Sequence, residues 1–195
     1  MRMTDPTGKG RRQLILLASV FLGPLLIAFV FYYGGIGWRP INSTENGQLI
    51  TPPRLLPDIA LLPNANTESP GFRGKWSLII FGDGACDANC QTRLYETRQV
   101  RKALSRDRDR VQRVFCVTGG MLDAEFVRNE HPGLVVIKTD APVASALLEA
   151  AHDREPGDVF LVDPIGNLIM RFPRDTDMKG IHTDLKHLLK LSRIG

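Results

Sequence analysis

The chain has 195 residues, 43% apolar and 24% charged, with 25 Lys and Arg against 21 Asp and Glu and three cysteines. That composition excludes a disordered or fibrous chain, and three cysteines exclude a small scaffold stapled by several disulfides, so the fold must rest on a hydrophobic core. Of the net +4, most belongs to residues 1–13, where Arg2, Lys9, Arg11 and Arg12 face Asp5.

From Leu14 to Tyr33 runs LILLASVFLGPLLIAFVFYY, uncharged and about as long as the ~20 residues that cross a bilayer core as a helix. Pro24 would break a soluble helix, but a spanning helix accommodates it. Tyr32, Tyr33 and Trp38 cluster where an aromatic belt would sit, and the basic flank orients residues 1–13 to the cytoplasm and the rest outside it. The run is too long for a cleavable signal peptide and no small-x-small site follows, so it reads as an uncleaved anchor. Residues 34–70 are rich in Gly, Pro, Asn, Ser and Thr without helical periodicity and read as a linker and irregular lead-in. Asn42-Ser43-Thr44 fits a glycosylation pattern and reads as accidental in a bacterial-looking membrane protein.

Residues 71–195 then alternate. Trp76–Phe81 (WSLIIF) reads as a strand ending at Gly82-Asp83-Gly84, and a helix follows over about Cys86–Leu104 with Leu94, Thr97, Val100 and Leu104 on one face. Arg113–Thr118 is a second strand, Leu122–Glu130 a helix, and Gly133–Lys138 a third strand. Asp140-Ala141-Pro142 opens a helix to about Ala151. Val159–Val162 and Leu168–Phe172 read as antiparallel strands joined by Asp163-Pro164-Ile165-Gly166-Asn167, and Thr176–Leu191 as a closing amphipathic helix. This order predicts an α/β sheet covered on both faces. Together with the position of the cysteines it suggests a thioredoxin-like fold behind an N-terminal transmembrane helix.

Cys86-Asp87-Ala88-Asn89-Cys90 follows an apolar strand and a glycine loop at the start of a predicted helix. Residues i and i+4 share a helical face, so the sulfurs can meet, and the backbone N–H groups of a helix start favour the thiolate. Such a pair can ligate Cu(I), cycle between dithiol and disulfide, or form a static bridge. Cys116, mid-strand, reads as a small buried hydrophobe.

The anchor, WSLIIF, the CxxxC at 86–90 and the FLVDPIGNLIMRF hairpin before an amphipathic helix together resemble the SCO/SenC family of cytochrome c oxidase assembly. The resemblance covers about residues 55–195 and the anchor. It implies a copper chaperone or assembly factor in a bacterial inner membrane, single-pass, with its C-terminal domain in the periplasm and an oxidase subunit or another assembly factor as partner. It also implies copper on Cys86 and Cys90. Where the family usually follows the second Cys with Pro, this chain has Gln91. The family's third ligand, a His before the hairpin, would fall near Glu155; the nearest imidazole is His152. A metal-free thiol-disulfide oxidoreductase and a non-catalytic scaffold are the alternatives.

Other signals are weaker. Pro156 stands where thioredoxin-like proteins often hold a cis-proline facing the cysteines. His131, before Pro132, reads as a surface residue. His182 and His187, five residues apart on a helix, face different ways and do not complete a zinc site with the cysteines. The stretch from Arg93 to Arg113 is basic, but the anchor puts it on the wrong side of a membrane for nucleic acid, so it reads as a solvated face or a surface that steers an acidic partner or anionic headgroups. Asp83 and Asp87 flank the cysteines, where a carboxylate raises a thiol's pKa.

Overall fold

The computed structural model describes residues 7–33, 45–57, 71–138 and 142–194. Arg2, Asp5, Trp38, the Asn42–Thr44 pattern, residues 58–70 and Asp140 lie outside them. The chain divides into two units, Met1–Thr44 and Glu45–Gly195.

In the first unit, α1 spans Thr7–Tyr33 and continues through Pro24. Within it Gly10–Val30, 21 residues of mean hydropathy 2.4, is long and apolar enough to cross a membrane, and none of it is buried in the protein. Leu14, Phe21, Leu25 and Phe29 are all exposed, which is costly in water and favourable in lipid.

In the second unit the described residues form six strands of one sheet, in the order β1-β6-β5-β2-β3-β4. The strands are β1 (Gln48–Leu55), β2 (Trp76–Asp83), β3 (Val111–Gly119), β4 (Leu134–Ile137), β5 (Val159–Val162) and β6 (Asn167–Phe172). β2, β3 and β4 run parallel, whereas β5, β6 and β1 are antiparallel to their neighbours. The helices are α2 (Ala88–Ala103), α3 (Ala124–Glu130), α4 (Pro142–Ala150) and α5 (Met178–Leu191), with a 3-10 turn over Ser105–Arg110. Strand residues alternate between two cores, as a two-residue period requires. Leu78, Ile80, Phe115, Leu161 and Met170 pack with Leu94 and Val100 of α2 and Ile181, Leu185 and Leu189 of α5. Ile79, Val114, Cys116, Phe160 and Val162 pack on the other side with Ala144 and Leu147 of α4. The expected α/β sheet covered on both faces is what forms, and the 159–172 hairpin closes where Gly166, at φ 100°, takes a conformation that glycine adopts freely.

The lead-in is not wholly irregular. β1 pairs with β6, although Thr51-Pro52-Pro53 read as loop and the register slips between Leu49 and Arg54. Its start is fixed from far away: Asn46 N, Gly47 N and Asn46 Nδ2 donate to the buried Asp184 carboxylate of α5 at 2.7, 2.8 and 2.8 Å.

Two surface assignments are also corrected. Arg113 and Arg93 of the basic stretch are buried. His131 is only 4% exposed, packed edge-to-face on Phe126 at 5.0 Å. It follows the last turn of α3, where a positive charge would be welcome, but burial and the nearby Arg113 and Arg98 hold its pKa below the ordinary value. Arg113 is itself pushed down to about 10, first by burial and then by Arg101 and Arg98. Because the folded pKa of His131 is depressed, its contribution is intact above the unfolded value of about 6.5 and is lost as pH falls through the folded one. Urea midpoints should therefore drop below about pH 6.5, and His131→Gln should flatten that part of the profile.

Candidate functional site

The cysteines sit where β2 gives way to α2. Asp87 caps the helix, its carboxylate accepting from Cys90 N at 2.9 Å, so Cys90 lies in the first turn and Cys86 lies outside the helix. The expectation of two cysteines on one helical face is corrected here. The N-cap takes the second position of the motif and Cys86 turns back at φ 45°, a left-handed conformation rare for a residue with a side chain. Two bonds hold that turn: Cys86 N donates to Asp83 O at 3.0 Å and Gln91 Nε2 donates to Cys86 O at 2.9 Å. Gln91, which sequence reading saw only as a missing proline, is thus a support for the first cysteine. The sulfurs form a Cys86–Cys90 disulfide with the Cα atoms 5.1 Å apart.

The floor of the site depends on close backbone approach. A Cβ on Gly82 would stand 3.1 Å from the Phe115 ring and 3.3 Å from Cys90 Sγ, so a larger residue there would press on the disulfide. Gly120, at φ 69°, lies against the Asp83 carboxylate, whose Oδ1 accepts from Ala85 N. The sequence marks Gly82 only as the end of a strand, and no motif marks Gly120.

A cleft of about 600 Å³ opens over the disulfide. Its lining brings Cys86 and Cys90 together with His152, Arg154, Pro156 and Arg174 from the far side, and three arginines offset the carboxylates of Asp83, Asp87 and Glu155. Arg93 ties this wall to α2. It is 5% exposed and donates to Gly157 O at 2.7 Å, Pro173 O at 2.8 Å, Thr176 O at 3.0 Å and Glu96 at 2.6 Å. Pro156 faces the cleft as expected, but its peptide is trans; among the described residues the cis bond is Thr51–Pro52.

His152 shares the rim without joining the sulfurs. Its side chain is 67% exposed, with Nδ1 3.2 Å from Arg54 Nη1 and 3.6 Å from Asp153 Oδ1. Arg54 also binds Asp153 at 2.9 Å and keeps that carboxyl below its usual range. Among the described residues no three His, Cys, Asp or Glu side chains converge in a group that could hold a metal ion. Cys116 belongs to the opposite core, and burial pushes its thiol up to about 11.

The disulfide closes a very short ring, with a sequence separation of 4. On the chain-entropy account such a ring contributes only about 2 kcal/mol, against 4 or more for a long loop. Reduction should therefore lower the unfolding free energy by about 2 kcal/mol and leave a folded dithiol protein, measured by urea titration with and without reductant.

Residues 76–192 match the family described as "transmembrane-like, thioredoxin-like, C-terminal domain", and residues 4–35 match "transmembrane-like, N-terminal domain". The chain belongs to this transmembrane-like, thioredoxin-like family. Solved structures share the fold at low identity. Apo Sco1 from Thermus thermophilus is 18% identical with a TM-score of 0.56, covering 78% of this chain and 99% of that one. Yeast Sco1 with copper bound is 19% identical at 0.52, covering 63% and 82%. The thioredoxin domain of a thiol-disulfide oxidoreductase from Bacteroides vulgatus is 14% identical at 0.50, covering 69% and 94%. A search of curated proteins finds no match. The resemblance to the SCO family seen in the sequence is thus matched by fold, and the family's N-terminal domain agrees with an anchor.

Proposed function

We propose that this membrane-anchored chain exchanges thiols and disulfides on the far side of the membrane from the cytoplasm, using Cys86 and Cys90. The observation that carries this reading is the disulfide itself: it lines an open cleft and closes a ring that stabilises less than a bridge across a long loop would. A bridge kept only as a staple would join distant segments. Arg2, Lys9, Arg11 and Arg12 before the span support a cytoplasmic tail and, in a bacterial inner membrane, a periplasmic domain. The SCO resemblance supports the cysteines of an oxidase subunit, or another assembly factor, as client.

The test is redox equilibration of the full-length protein in detergent micelles against glutathione buffers, read by alkylation and mass. Cys86 and Cys90 should interconvert within the buffer range, while Cys116 stays unlabelled until denaturation. A pair still oxidised at a poise below about −300 mV would make it a static bridge and the protein a scaffold.

A second reading, delivery of copper, is favoured by one observation: the fold is shared with the copper-bound yeast Sco1. Copper would be cargo here. The reduced pair offers two soft sulfurs suited to Cu(I), whereas His152 is engaged with Arg54 and Asp153 and supplies no third donor as it stands. Anaerobic Cu(I) titration of the reduced chain, with Cys86→Ser alongside, tests this reading. If His152 swings onto the metal, His152→Ala should weaken Cu(II) retention by about 10- to 100-fold while leaving Cu(I) nearly unchanged.

A further inference from the structure

The two cysteines are not equivalent. Cys86 is 2% exposed and belongs to the core that contains Leu94 and Phe115. Its backbone is pinned on both sides, by Asp83 O and by Gln91 Nε2, in a left-handed turn. It reaches the cleft lining but presents almost none of its surface there. Cys90 is half-buried, sits in the first turn of α2, and packs against that core from outside its fully buried set. Gly82 beneath its sulfur adds no side chain to cover it. Arg93, three residues on and on the same helical face, lines the same cleft.

Building on the exchange reading, we infer that Cys90, the second cysteine of the motif, is the sulfur that meets the client, and that buried Cys86 is the resolving one. When the oxidised protein accepts electrons, a client thiolate bonds to Cys90 Sγ from the cleft side. The Cys86–Cys90 bond breaks, and its electron pair leaves on Cys86 Sγ, which takes up a proton. A second client thiolate then displaces Cys90 from the mixed disulfide. The client dithiol becomes a disulfide and the protein a dithiol, with two electrons and two protons transferred. In the reverse direction the Cys90 thiolate attacks a client disulfide and Cys86 releases the product. Access decides which sulfur is attacked, and the positive end of α2 favours the Cys90 thiolate.

The experiment uses the full-length protein in detergent micelles. The oxidised wild type is mixed briefly with reduced glutathione, quenched with acid, blocked with N-ethylmaleimide and peptide-mapped. In parallel, the reduced single variants Cys86→Ser and Cys90→Ser react with an aromatic disulfide, 5,5′-dithiobis(2-nitrobenzoate). Glutathione should be found on Cys90. The variant that keeps Cys90 should react at least about 10-fold faster than the variant that keeps Cys86, with the gap shrinking to about twofold in concentrated guanidinium. A glutathione adduct on Cys86, or equal native rates, would overturn the assignment while leaving exchange intact. A disulfide that glutathione never opens would overturn the exchange reading and this assignment with it.

Discussion

Arg93→Ala is expected to cost about 3–4 kcal/mol of folding stability. The guanidinium is almost wholly buried, and its four bonds reach three separate segments: Gly157 before β5, Pro173 and Thr176 after β6, and Glu96 on its own helix. Truncation takes a donor from three carbonyls, of which Pro173 O keeps Thr176 N, and removes the cation beside Glu96. The Glu96 side chain is a quarter exposed and can recover water, which keeps the loss below that for a fully enclosed partner. Lysine should not rescue it, because a single ammonium cannot reproduce a planar fork aimed at separate acceptors. Since the Gly157 bond also holds the wall that carries Pro156, thiol exchange should slow even at temperatures where the variant is folded. Urea unfolding followed by several probes, together with exchange rates in the folded baseline, checks both halves. A midpoint equal to wild type would mean that the clamp does not hold in solution.

Phe115→Ala should be comparably damaging, about 3–5 kcal/mol. The ring is fully buried in the middle of β3, and it is the surface on which Gly82 rests. Removing it leaves a cavity under the strand that supports Cys90. The loss of stability should therefore come with a second signature: in the reduced protein Cys86 should become reactive toward alkylating agents, because the core that hides it has loosened. Phe115→Leu should recover most of the stability, since less volume is lost. Equilibrium unfolding and native-state alkylation with mass mapping would measure the two effects separately.

Much of this could be read from the chain before its structure was known, for reasons tied to particular residues. WSLIIF and the FLVDPIGNLIMRF hairpin declare themselves because burial on both faces makes a strand continuously apolar and the Asp-Pro-Ile-Gly turn has its own chemistry. The CxxxC pair stands out through its place between strand and helix. What stayed hidden depends on partners distant in sequence. Nothing near Asn46 announces that Asp184, 138 residues later, will hold its backbone. Arg93 looks like one more exposed cation in a basic run because its acceptors are main-chain carbonyls, which no side-chain pattern reveals. His131 reads as a loop residue because the Phe126 and Arg113 that enclose it are brought by separate elements. The unequal burial of the two cysteines depends on where the N-cap falls, and Asp87 rather than the cysteine spacing decides that.

The pair of prolines in β1 has a consequence for how copies of this protein share a membrane. Among the described residues β1 and β4 are the two margins of the sheet, and an open margin is a template on which another chain can add a strand. Anchoring confines copies to a surface and raises their local concentration, which sharpens that hazard. Pro52 and Pro53 carry no N–H to offer, and the slipped register at this margin interrupts the ladder. β4 is only four residues long, too short a seed for a growing stack. Both margins are thus blunted against strand-on-strand templating between tethered neighbours.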